Sequence, residues 1–161
     1  MGNSSQGSSN ESSNNGTIVN DEGTSSVKAK FCCNKSDNKK NCRKSNISLT
    51  QLNWNYKFIG CHRIIELEFH CSNCNSYYYV LMDKTSYLEN GKRKGRKNIQ
   101  MKTYDFNNIH WQVTQYKVKR YISFDTCLNK FDSIDASNYN WATNNCMHFA
   151  YKIKNKILNN K

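Results

Sequence analysis

The chain contains no proline among its 161 residues, and only seven glycines and four histidines. The lack of proline, beside abundant Asn and Lys, reads as a compositional bias rather than a functional signal. No apolar run approaches the ~20 residues that a helix needs to cross a bilayer, so a membrane-spanning helix is excluded by pattern. The N-terminus also lacks the apolar core of a secretory signal. Acidic residues are scarce, 12 against 24 Lys and Arg, for a formal charge of +12. Neither an internal repeat nor an aromatic RNA-binding signature is visible. These absences leave a cytoplasmic protein as the expectation. In that compartment the eight cysteines read as thiols or metal ligands rather than a disulfide framework.

What is present divides in two. Residues 1–47 open with a Ser-, Asn- and Gly-rich stretch and continue into a basic, Asn-rich passage. Such composition cannot bury enough apolar surface to offset its ordering entropy, so this part reads as a disordered tail. Residues 48–161 hold the three tryptophans and most of the other aromatics, enough for one small α+β domain. Gly2 follows Met1 as N-myristoylation requires, but Gln6 stands where that signal wants Ser or Thr. A second basic run, Lys92, Arg93, Lys94, Arg96 and Lys97, is a candidate contact for nucleic acid or an anionic membrane. The alternative is a solvated basic loop.

Within the domain, Trp54, Tyr56 and Phe58 alternate with polar residues, the period of a half-buried strand. The stretch from His62 to Cys71 alternates again. Arg63, Ile65, Leu67 and Phe69 share one face, and His62, Ile64, Glu66, Glu68 and His70 share the other. A turn centred on Ser72 and Asn73 leads to a third strand, which would set His62 opposite Asp83. The segment from Tyr87 to Asn108 reads as a polar connection with Asn90-Gly91 as a turn signal. One or two strands are expected from His110 to Phe124. A helix carrying Cys127, Leu128 and Phe131 should follow, with Asp125 as its N-cap. The clearest element is the last. Cys146, Phe149, Ala150, Ile153 and Ile157 recur at helical spacing behind Asn144 or Asn145 as cap, so the buried stripe begins at Cys146.

A thiol in the first turn of a helix feels the positive end of the helix dipole, which favours its thiolate. To act as a nucleophile it needs a histidine that accepts and returns a proton. His148 is two residues along the helix and faces elsewhere, so His62 is the best-placed partner. His70 would lie about 26 Å from His62 along a straight strand. The alternative is that Cys146 is a small residue on a core stripe.

The segment "YNWATNNCMHFAYKI" resembles the Cys-bearing helix of the lecithin:retinol acyltransferase-like proteins, with their Asn-Cys-x-His-Phe signature. It is also similar to the matching helix of the permuted papain-fold peptidases. In both groups the histidine comes first, on a strand, and the cysteine last, on a helix; "CHRIIELEF" is similar to their His-led strand. The resemblance implies an α+β fold, an antiparallel sheet with a C-terminal Cys-bearing helix and a permuted papain-like (NlpC-type) core. It implies thiol-dependent acyl chemistry as well: amide, isopeptide or ester hydrolysis, as in a thiol protease or other hydrolase, or acyl transfer. Cys146 would be the nucleophile, His62 the proton shuttle, and Asp83, from the strand after the His strand, the residue that orients the imidazole. His110 is the alternative third residue. The substrate would be acyl or peptide-like, and the backbone N–H of Cys146 the oxyanion donor. No cofactor is needed.

One constellation competes. Cys71 and Cys74 form a CxxC at a hairpin tip, half of a zinc site. Cys32, Cys33 and Cys42, or His70 and Cys61, would have to complete it. With the basic run this gives a different class of function, a non-catalytic module that binds nucleic acid or anionic membrane.

Overall fold

The computed structural model describes residues 17–18, 44–57, 62–102 and 111–159. Five long strands form an antiparallel sheet: β2 (Ile47–Lys57), β3 (His62–Cys71), β4 (Ser76–Glu89), β5 (Lys92–Lys102) and β6 (Trp111–Lys117). A two-residue strand, β1 (Thr17–Ile18), pairs with the outer side of β5, giving the order β1-β5-β4-β3-β2-β6. Two helices follow, α1 (Phe124–Asp132) and α2 (Cys146–Leu158). The α+β class with an antiparallel sheet and a C-terminal Cys-bearing helix is therefore observed.

The alternation of β3 decides which side of the sheet is covered. Ile65, Leu67 and Phe69 are wholly buried and continue into Val80 and Met82 on β4. The stripe of α2 seals this face with Phe149, Ala150, Ile153 and Ile157. Phe131 of α1 meets Phe149 edge-to-face at 5.7 Å, and Phe69 meets Phe124 at 5.6 Å. Each such side chain taken out of water is worth about 1.5–3 kcal/mol, which holds the helices down. In β2 the inward phase changes: Leu49 faces the core, then Leu52 does, because Thr50 is an extra residue in the pairing with β3. Its hydroxyl donates to the Glu68 carboxylate at 2.6 Å and anchors the bulge.

Three sequence expectations need correction. The first hairpin turns through residues 72–75, closed by Cys71 against Ser76, because Asn75 takes the left-handed conformation (φ 57°). Ile64, not His62, therefore stands opposite Asp83. The slip is two residues, and an even slip keeps every side chain on its expected face. The stretch beyond Tyr87 is no loose connection: β4 and β5 pair as one long hairpin around Asn90-Gly91. Both turn residues have positive φ (50° and 72°), which suits the twist of two antiparallel strands. The basic residues thus lie on a strand, carried by ladder bonds that their own β-propensity did not announce. Finally, α1 is capped by Ser123, whose hydroxyl accepts from the Thr126 N–H at 3.1 Å; Asp125 sits in the first turn instead.

Among the described residues no helix is long and apolar enough to cross a membrane. Most of the N-terminal 47 residues, including Gly2 and Gln6, lie outside the described residues.

Candidate active site

Cys146 is the first residue of α2, placed there by its cap. Asn145 accepts the N–H groups of Met147 (2.9 Å) and His148 (3.1 Å) through Oδ1. Its own Nδ2 donates to the Trp141 carbonyl at 2.6 Å. Losing such a cap costs about 1 kcal/mol of helix stability. The first turn carries no acidic residue, so nothing there competes with a thiolate for the helix N-terminus.

His62 is the first residue of β3. Asp83 shares its sheet face and lies diagonally across the β3–β4 pair, opposite Ile64 and so two residues along from His62. Diagonal neighbours are within reach of long side chains, and His62 Nε2 meets Asp83 Oδ2 at 2.7 Å. The imidazole is also hydrogen-bonded to Cys146. With Nε2 given to Asp83, Nδ1 is the nitrogen left for the thiol. The structure thus brings together Cys146, His62 and Asp83.

The electrostatics follow from these bonds. The Asp83 carboxylate, then the Cys146 sulfur, raise the His62 pKa from 6.5 to about 9, against the opposing pull of burial. For Cys146, burial is the largest influence and disfavours the charged form. It is outweighed by the bond to His62, the backbone N–H groups of Arg63 and Met147, and the positive charge of the imidazolium. The thiol is therefore held below its ordinary value. Cys127 shows the contrast: buried in α1 without such partners, it is pushed up to about 12. Both sit on apolar stripes of helices, and their thiols are shifted in opposite directions.

The loop before α2 is tied down throughout. Asn140 and Asn144 exchange backbone bonds of 3.3 and 2.9 Å. Asn144 Nδ2 donates to the Asn138 carbonyl at 2.8 Å, and Gly95 N–H to the Ser137 carbonyl at 3.0 Å. Lys84, 0% exposed, sends Nζ to the carbonyls of Asn138 (2.6 Å) and Asn144 (3.1 Å). The Tyr139 hydroxyl accepts the backbone N–H of Cys146. Sequence reasoning passed over both side chains. A signal existed for Lys84: it continues the inward positions Tyr78, Val80 and Met82, where a lysine is out of place. Tyr139 sits in a loop, and no periodicity pointed to it.

Other candidates lie elsewhere. His70, at the far end of β3, bonds Asn75 Oδ1 at 2.8 Å. His148 bonds Asn145 Oδ1 at 2.9 Å and so supports the cap. His110 lies outside the described residues, and the strand that starts at Trp111 pairs with β2 rather than β3. Cys71 is wholly buried in the core, while Cys74 faces the Tyr78 hydroxyl at 4.0 Å. Among the described residues no three His, Cys, Asp or Glu cluster as metal ligands; Cys32, Cys33, Cys42 and Cys61 are outside them. The basic residues of β5 are partly engaged. Lys97 caps α1 through the Asp132 carbonyl at 2.9 Å, and Arg96 lies over the Tyr87 ring at 5.1 Å. Lys92 and Arg93 remain exposed at the hairpin end.

No protein-family model, no curated protein and no solved structure matches the chain.

Proposed function

We propose that the chain carries out thiol-dependent acyl chemistry, hydrolysis of an amide, isopeptide or ester or transfer of its acyl group, on a permuted papain-like core. The observation that carries this reading is the hydrogen-bonded series Asp83, His62, Cys146. In the resting site Cys146 is the thiolate and His62 the imidazolium. The sulfur attacks the carbonyl carbon and the oxygen takes up the negative charge. As the tetrahedral centre collapses, the leaving group departs with the His62 proton, leaving a thioester on Cys146. Neutral His62 then draws a proton from water or an acceptor hydroxyl or amine, which attacks the thioester. The thiolate leaves and the imidazolium is restored. Asp83 keeps the ring oriented and stabilises its positive charge. The oxyanion donor is the Cys146 N–H, which an entering carbonyl oxygen takes over from the Tyr139 hydroxyl.

The competing reading, a binding module, draws on the exposed Lys92 and Arg93 beside the exposed Leu88 and Tyr87. One experiment separates the two. The folded protein is treated with iodoacetamide across pH 5–9, and the label is located by peptide mass spectrometry. Alkylation follows the thiolate fraction, so an ordinary thiol with pKa near ~8.5 fades below that pH. Cys146 should remain the fastest of the described thiols at pH 6.5, and Cys127 should stay unlabelled until the protein unfolds. Cys146 as slow as Cys127 would leave the binding module as the better account.

A further inference from the structure

Lys84 combines three features that a purely structural lysine does not need. It is wholly buried, and its two hydrogen bonds go to neutral carbonyls, Asn138 and Asn144. A charged amine taken out of water is costly unless a counter-charge lies near. The backbone is shaped to admit it. A Cβ on Gly95 would come within 2.4 Å of Lys84 Cε and 2.0 Å of the Ala136 carbonyl oxygen, so only glycine lets stem and loop close over the strand. Lys84 also follows Asp83 directly in β4, on the opposite side of the strand, and one of the carbonyls it holds is two residues from Cys146.

The charge count of the site supplies a reason. Thiolate, imidazolium and carboxylate together carry two negative charges and one positive, leaving one negative charge in a mostly buried place. We infer that Lys84 is a positioning residue of the thiol site: its ammonium neutralises the Cys146–His62–Asp83 group and clamps the 138–144 loop that leads into α2. This rests on the thiol reading proposed above. Burial pulls the amine below its ordinary value. Among the charges around it, Asp135 and Cys146 favour the ammonium form and Lys152 opposes it, and the Tyr139 ring lies 5.4 Å away. Around the sulfur stand His62, the Arg63 and Met147 N–H groups and Tyr139. A neutral donor could hold the carbonyls, but only a cation balances the thiolate.

The test compares two ways of loosening the same loop. Lys84→Met keeps the stem and removes the charge; Asn144→Ala removes a neutral tie to the same Asn138 carbonyl. Both are read by the pH profile of Cys146 alkylation, with folding checked by circular dichroism. Lys84→Met should raise the midpoint by about one pH unit and slow labelling at pH 6 about tenfold. Asn144→Ala should leave the midpoint in place. An unchanged midpoint in folded Lys84→Met, or equal shifts in both variants, would overturn the inference. Should Lys84→Met fail to fold, Lys84→Gln, which keeps a neutral donor for the carbonyls and removes the charge, should raise the midpoint, and no shift there overturns it equally. If wild-type Cys146 has no lowered midpoint to begin with, the thiol reading itself fails, an outcome distinct from a normal wild type beside an unmoved Lys84 variant.

Discussion

His62→Ala should abolish acyl turnover, lowering kcat/KM by about a thousandfold or more. The same change should raise the pH midpoint of Cys146 alkylation by about one to two units. Both effects come from one removal. His62 is the side chain that most favours the Cys146 thiolate, and in the proposed mechanism it returns a proton to the leaving group. Asp83→Asn should lower turnover too but move the thiol midpoint less, since it acts on Cys146 only through the ring. In the wild type, activity should rise with pH as Cys146 ionises below the ordinary thiol value, then fall near pH 9 as His62 loses its proton. The two groups titrate as a coupled pair, so each limb belongs to the pair. Stability should follow the same sign. The folded pKa of His62 is raised above its unfolded value of 6.5, so its contribution is full below pH 6.5 and lost as pH rises through about 9. Cys146 is depressed, so its contribution is present above the unfolded thiol value and lost as pH falls through the folded one. A His62→Ala variant with wild-type turnover and an unmoved midpoint would contradict the assignment.

Phe149→Ala should be the most damaging substitution in the core, costing about 3–5 kcal/mol in urea or thermal unfolding. Phe149 is wholly buried, faces the sheet from the first turn of α2 and stacks edge-on against Phe131. Its loss removes an aromatic contact between α2 and α1 and leaves a cavity three residues beyond Cys146. A domain of this size has about 5–15 kcal/mol in hand, so the variant should be marginal at body temperature. A cost below about 1 kcal/mol would mean that α2 does not seal this face as described.

The parts of the fold legible in the sequence were those set by period. The α2 stripe is found as written, and Ile65, Leu67 and Phe69 of β3 share the buried face, but Glu66 on the opposite face is buried too, bonded to Asn53. The turn after Cys71 misled by two residues, since nothing local says that Asn75 will adopt positive φ. The His62 and Asp83 side chains still met, because parity survives an even slip. The β4–β5 hairpin was misjudged for a different reason. Lys and Arg are poor strand formers in isolation, and it is the pairing of Thr85 to Glu89 with Lys92 to Arg96 that makes the strand. Lys84 and Tyr139 were missed because their roles arise from a loop folding back over the sheet, a contact between residues some 54 positions apart for Lys84 and Asn138. Local pattern carries no trace of Tyr139's place, and it marks Lys84 only as a lysine at an inward position.

The account stands on Cys146 acting as a nucleophile assisted by His62. The most direct measurement is to expose the folded protein to an activated ester, quench rapidly in acid and map acyl groups by peptide mass spectrometry. An acyl thioester on Cys146 in the wild type, gone in Cys146→Ser and strongly reduced in His62→Ala, is the predicted result. Acylation spread over lysines, with Cys146 unmodified and the pattern unchanged by His62→Ala, would contradict it.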